Sequence, residues 1–210
     1  EEINMKRKGF TLIELSIVLI IVGLIIGGVM KGKDMINSAK QKKFLTTFIK
    51  GWELSVNQYQ DRTGQTLGDG TVNGGTQANA DGVFDNISLS AAAGLTVVTR
   101  LRAVGIDSPI TNTAPVNNGG SYTIEGKYAR GLSLMSLTGN IQINGTPRNI
   151  LQLTLVPADV AMAIDTMIDG GADAGLGACI ISTSAAAATP TTAVWPDATV
   201  TPTVTVYILL

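Results

Sequence analysis

The sequence predicts an α+β chain in which one long N-terminal α-helix packs on an antiparallel β-sheet head. The first observation behind this prediction is that residues 10–30 are apolar apart from Glu14. The second is that an apolar spacing of three or four residues continues to residue 59, as expected for a helix. The third is that stretches between 121 and 156 alternate apolar and polar residues, as a half-buried sheet does. These patterns divide the chain into a helix over 10–63 and a head over 64–210.

The N-terminal helix is predicted to contain two different parts. Residues 10–30 would rise about 30 Å as a helix, which is the thickness of a bilayer core. Further along, an apolar stripe at helical spacing is predicted to pack on the head, and Gly64 suits a C-terminal cap. The stripe consists of Leu45, Phe48, Trp52, Val56 and Tyr59.

The head is predicted to combine short helices with antiparallel strands. Helical spacing predicts one helix near 96–104, with Thr96 as its N-cap, and another near 158–169. Period-two spacing predicts strands over 121–125, 131–137 and 149–156, with turns at Gly126-Lys127 and Asn144-Gly145. Residues 203–210 favour a terminal strand, whereas the Ala-, Thr- and Pro-rich residues 182–205 favour an exposed irregular segment.

Composition and charge exclude several classes of protein. The chain has no histidine and one cysteine, Cys179, so zinc sites of Cys and His and the usual Ser-His or Cys-His nucleophile pairs are absent. Residues 10–50 carry six lysines against Glu14 and Asp34, whereas residues 51–210 carry six basic and twelve acidic side chains. An acidic head argues against nucleic-acid binding. The composition therefore excludes the commonest hydrolytic designs but does not by itself exclude an enzyme.

Two groups of acidic and polar residues in the head are candidate sites. Asp69, Thr71 and Asn73, with Asp81 further along, have the spacing of a degenerate calcium loop, although a solvated loop is favoured. Asp165, Asp169 and Asp173 recur every four residues and could hold a cation or act as acid and base, although a solvated face is favoured. Bound calcium is therefore an alternative at these residues and not the favoured interpretation.

The N-terminal segment admits three interpretations. A secretory signal peptide is disfavoured because the apolar run is long and no small-residue cleavage site follows it. A plain membrane anchor fits the length but leaves Glu14 unexplained, since a carboxylate in lipid is costly. The third interpretation starts from Lys8-Gly9-Phe10-Thr11-Leu12-Ile13-Glu14-Leu15, which precedes the long apolar helix.

This octapeptide closely resembles the start of type IV prepilins and pseudopilins. The resemblance implies a pilin-like fold and a short basic leader, residues 1–9, with Met5 as the natural start. It implies cleavage after Gly9 by a membrane-embedded prepilin peptidase, followed by N-methylation of Phe10. It makes Glu14 an assembly residue, which would pair with the ammonium of Phe10 in a neighbouring subunit when the two are in register.

The function implied by the resemblance is that of a structural filament subunit, which is not an enzyme and requires no cofactor. The expected partners are copies of the same chain, the prepilin peptidase, an inner-membrane assembly platform with its ATPase, and the lipid bilayer before assembly. The chain would reside in the bacterial inner membrane and then in an extracellular pilus or a periplasmic pseudopilus, with residues 10–30 in the filament core. A pseudopilin of a type II secretion system, a minor tip subunit and a membrane-anchored binding head remain alternatives.

Overall fold

The computed structural model describes residues 10–113, 119–143, 145–182 and 194–210. The chain divides into two compact units, residues 1–39 and residues 40–210. The predicted turn residue Asn144 and residues 183–193 of the predicted irregular segment lie outside the described residues.

The long N-terminal helix is confirmed. Helix α1 spans Leu12–Lys43, a π-helical turn follows at Phe44–Ile49, and helix α2 spans Lys50–Thr63. Gly64 ends α2 in the left-handed conformation, with φ of 70°, and donates its N–H to the carbonyl of Gln60. The C-terminal cap therefore lies where glycine was expected to supply it.

The π-helical turn is the local feature that the sequence patterns did not predict. The hydroxyls of Thr46 and Thr47 donate to the carbonyls of Lys42 and Lys43, so they compete for acceptors of the regular helical ladder. A wider turn changes which side chains face one direction, and here four of its six residues are buried. They are Phe44, Leu45, Phe48 and Ile49.

The described residues of the head form a six-stranded antiparallel sheet. Its strands are β1 (Ile87–Ser88), β2 (Ser121–Glu125), β3 (Arg130–Ile143), β4 (Thr146–Pro157), β5 (Cys179–Ser182) and β6 (Thr203–Leu209). The main order is β1-β3-β4-β6-β5, and β2 pairs with β3 beside β1. The strand over 121–125 coincides with the predicted one, whereas β3 is twice as long as expected because it continues through a bulge between Thr138 and Ile141.

The bulge in β3 depends on a close contact that only glycine permits. A Cβ atom on Gly139 would collide with the backbone of Phe84, and Asn140 adopts a φ of 58° next to it. A second bulge in β4 lies between Leu153 and Val156, where Leu155 has the same φ. A bulge leaves one residue unpaired and locally bends the strand that contains it.

One hydrophobic core joins the helical stripe to the sheet. All five predicted stripe residues are buried in this core, and the rings of Phe44 and Phe48 lie 5.0 and 5.2 Å from that of Tyr122 on β2. Trp52 is fully buried, and its indole N–H donates to the carbonyl of Gly119 over 2.8 Å. The helix therefore supplies a large share of the aromatic core of the head.

In the described part of the head, two short α-helices and a 3-10 turn at Thr71–Asn73 accompany the sheet. Helix α3 spans Ala92–Ala103 and begins four residues earlier than expected. The residue before its first turn is Ala91 rather than Thr96. The prediction of Thr96 as N-cap was wrong, since its hydroxyl donates to the carbonyls of Ala93 and Gly74 instead. Helix α4 spans Ala158–Asp169 and ends at Gly170, which is left-handed.

Candidate functional site

The N-terminal end of α1 is formed by a reciprocal contact between Thr11 and Glu14. One oxygen of the Glu14 carboxylate, Oε2, accepts the backbone N–H and the hydroxyl of Thr11, both over 2.9 Å. In return, the Thr11 hydroxyl oxygen accepts the backbone N–H of Glu14 over 3.2 Å. Two N–H groups that the first helical turn leaves without partners are thereby satisfied.

This arrangement is a capping box, which the sequence analysis missed. A threonine followed three residues later by a glutamate, ahead of an apolar run, is the sequence signal for it. The structure thus gives Glu14 a second role besides the predicted assembly role. Its negative charge also lies in the first turn, where the partial positive charge of the helix end favours it.

Beyond the capping box, residues 15–30 of α1 are apolar apart from Ser16, and they are exposed. None of its residues is buried, and Leu12 and Leu24 expose 89% and 73% of their surface. By length and composition, the continuous helical run Leu12–Thr63 is able to cross a membrane, with a most apolar window of mean hydropathy 2.7. Among the described residues, this is the helix that meets those criteria.

The predicted processing residues flank the start of this helix. Gly9 lies outside the described residues, whereas Phe10 precedes the helix and exposes 88% of its surface. Cleavage after Gly9 and methylation of Phe10 therefore remain predictions. Judged from the described residues, the side chain of Phe10 is nevertheless accessible.

The predicted calcium loop is organised by its own carboxylates. The prediction of a solvated loop was wrong for Asp69 and Asn73, which are buried. The Asp69 carboxylate accepts the N–H groups of Asp81 and Gly82 over 3.0 and 2.6 Å. Asn73 accepts the hydroxyl of Tyr59 over 3.0 Å and donates to the Asp69 carbonyl.

Asp85 is the residue of this loop that the sequence patterns did not single out. Its Oδ2 accepts three backbone N–H groups, from Gly70 over 3.1 Å, Thr76 over 2.7 Å and Gln77 over 2.8 Å. These donors lie 8 to 15 residues away along the chain, so no short motif marks the contact. Thr71 and Asp81 are exposed, and calcium at this loop stays a prediction.

The second carboxylate group lies at the end of α4. Asp169 is exposed and Asp173 half-buried, but the prediction of a solvated face was wrong for Asp165, which is fully buried. Asp165 faces inward because α4 also buries Val160, Ala161 and Ile164 on that side. Within the described ranges, no three carboxylate or thiol side chains are arranged to hold a metal ion.

The fold and the N-terminal segment together define a pilin-like α+β protein, with an apolar helix that leads into an antiparallel-sheet head. Residues 4–30 match the family model of the prokaryotic N-terminal methylation motif, the class III prepilin signal of type IV pilins and pseudopilins. The chain therefore carries the signal of a pilin-like prepilin substrate. Comparison with curated proteins and with solved structures gave no match for the chain.

Proposed function

We propose that this chain is the structural subunit of a type IV pilus-like filament. It is inserted in the bacterial inner membrane, cut after Gly9 by prepilin peptidase, N-methylated at Phe10 and assembled through α1. The observation that carries the proposal is an unburied apolar helix whose first turn holds a single carboxylate, inside the segment that matches the methylation motif.

The apolar surface of α1 needs a partner in each state of the protein. A patch of this size is unfavourable in water, so lipid covers it before assembly. After extraction from the membrane, the same surface is covered by the helices of other copies in the filament core. An assembly platform and its ATPase supply the work of extraction, and the filament extends as an extracellular pilus or a periplasmic pseudopilus.

Glu14 would set the register between neighbouring subunits. The capping box satisfies hydrogen bonds of its carboxylate but supplies no positive charge. Cleavage after Gly9 creates an α-ammonium on Phe10, and an unpaired charge in an apolar core costs several kcal/mol. A subunit in register with its neighbour pairs the Phe10 ammonium with that carboxylate, so the aligned arrangement is favoured over the alternatives.

Mass spectrometry of the mature N-terminus tests the processing step. We expect the chain co-expressed with a prepilin peptidase to begin at an N-methylated Phe10. In the Gly9→Val variant the leader should stay attached, whereas the control Gly27→Ala, in the same apolar segment, should be processed. A mature chain that begins at Met5, or processing of Gly9→Val at the normal level, would contradict the proposal.

Charge-only substitutions test the assembly step. Glu14→Gln keeps an acceptor for the Thr11 N–H but removes the charge, so it separates assembly from capping. We expect filament yield to fall roughly tenfold or more, since the Phe10 ammonium is left unpaired. Asp34→Asn removes an exposed carboxylate from the same helix and should leave the yield unchanged.

The outcome is read by electron microscopy and by the amount of subunit in sheared surface fractions. Normal filaments from the processed Glu14→Gln variant would contradict the proposed charge-pairing role of Glu14. The abundance of the subunit in those filaments also distinguishes a major pilin from a minor tip subunit or a pseudopilin.

A further inference from the structure

The carboxylate of Asp165 occupies an unusual position in the head. Its side chain is fully buried on α4, and neither carboxylate oxygen accepts a hydrogen bond of regular geometry from the described residues. Burial of an ionised carboxylate without a partner is strongly unfavourable, so the group must gain either a counter-charge or a proton.

The nearest charged groups add to this cost. Asp169 lies one helical turn further on, and Asp173 lies in the loop that follows, and both raise the pKa of Asp165 through their charge. Asp165 and Asp169 lie in the last two turns of α4, where the partial negative charge of the helix end disfavours ionised carboxylates further. The ion pairs of the described residues are Lys40–Glu125, Lys50–Glu53 and Arg130–Glu125, so none lies at this cluster.

The strands that pack against α4 supply no compensating charge either. β4 and β6 contribute apolar residues to the hydrophobic core that α4 shares, among them Val156, Val204 and Val206. β5 contributes Cys179, and its burial, together with the three aspartates, raises the pKa of the thiol so that it stays neutral. Among the described residues, the titratable groups that interact with Asp165 are therefore Asp169, Asp173 and Cys179, and none of these three is a cation.

The same carboxylates hold the loop between α4 and β5 in place. Asp169 accepts the N–H groups of Ala178 and Cys179 over 3.0 and 2.9 Å, and Asp173 accepts that of Leu176 over 2.9 Å. A Cβ atom on Gly177 would collide with the Asp169 carboxylate, so the loop backbone lies directly against it. Repulsion among the three aspartates would thus act on the contacts that fix residues 170–178.

We propose that Asp165 holds a proton in the folded head and shares it with Asp169, and that this proton locks the loop between α4 and β5. Loss of the proton places a third negative charge at the cluster and loosens the loop. In the folded head, the loop between α4 and β5 is therefore held firmly in mild acid and less firmly at neutral pH.

The pKa of Asp165 is shifted in the direction that this geometry predicts. Burial, followed by the charges of Asp169 and Asp173, raises the pKa of Asp165 to about 6, against a lowering contribution from the backbone N–H of Asp173. The pKa of Asp165 in the folded head lies above that of a hydrated aspartate in the open loop. The stabilisation of the closed loop by this proton is therefore complete below the ordinary pKa of an aspartate. It is lost as pH rises towards 6, and it stays lost above that value.

Hydrogen exchange of the full chain in detergent micelles, with EDTA present, tests the proposal. After correction for the intrinsic exchange rate, we expect the opening constant of residues 170–179 to rise about tenfold between pH 5 and pH 7.5. Asp165→Asn is neutral at every pH and should abolish this dependence. Asp107→Asn makes the same chemical change at an exposed position and should retain it.

Three outcomes would overturn the proposal. They are equal loop protection of the wild-type chain at the two pH values, the wild-type pH dependence in Asp165→Asn, and, in a parallel sample without EDTA, loop protection at pH 7.5 that added calcium restores. The last outcome would assign the cluster to a divalent cation instead of a proton.

Discussion

At the scale of single residues, Asp85 illustrates how one side chain organises a long loop. Its Oδ2 gathers three backbone N–H groups, and the residue is buried. We expect Asp85→Ala to lower the free energy of unfolding by about 3 kcal/mol, because three backbone donors lose a charged, buried acceptor together. Urea unfolding of the full chain in mild detergent measures this change.

The control for this prediction is Asp107→Ala. That side chain is exposed, so its removal should change the free energy of unfolding by less than about 0.5 kcal/mol. Equal unfolding midpoints for the two variants would show that the Asp85 contacts do not stabilise the head.

At the scale of secondary-structure elements, the start of α1 depends on its capping box. In Thr11→Ala, the backbone N–H of Glu14 loses the hydroxyl oxygen that accepts it over 3.2 Å. A lost N-cap costs about 1 kcal/mol, so we expect the Glu14 amide to exchange roughly fivefold faster. Amide exchange followed by NMR in micelles provides the measurement.

Two comparisons make the capping prediction specific. Thr11→Ser keeps the hydroxyl and should exchange at the wild-type rate, and the amide of Val22, further along α1, should be unaffected in both variants. Identical Glu14 exchange in Thr11→Ala and Thr11→Ser would contradict the role of the cap.

At the scale of the whole molecule, the unit of residues 40–210 contains its own core. Helical residues from Phe44 to Tyr59 are part of this core, so the head is incomplete without them. We expect a fragment of residues 40–210 to be soluble and to unfold cooperatively on heating. A fragment of residues 50–210 lacks four buried residues of the π-helical turn, which contribute roughly 2 kcal/mol each, and it should not fold stably.

Circular dichroism melting and size-exclusion chromatography distinguish these fragments. A cooperative transition of residues 50–210 at the same temperature as that of residues 40–210 would show that the π-helical turn is dispensable for the fold.

The sequence by itself determined the long helix, most strand positions and the processing motif. These features are local: an apolar run, a period of two or 3.6 residues, or a glycine at a cap is legible without knowledge of distant contacts. The capping box of Thr11 and Glu14 was equally legible, because both partners lie within one turn.

Only the tertiary structure determined which polar side chains of the head are buried. Asp69 and Asp165 occur in polar or amphipathic stretches that favour exposure, yet both are buried. Asp85 is buried by backbone donors from another part of its loop, and β3 is extended through a bulge that Gly139 fits against Phe84. Burial of a polar group depends on which distant atoms surround it, and local residue spacing does not carry that information.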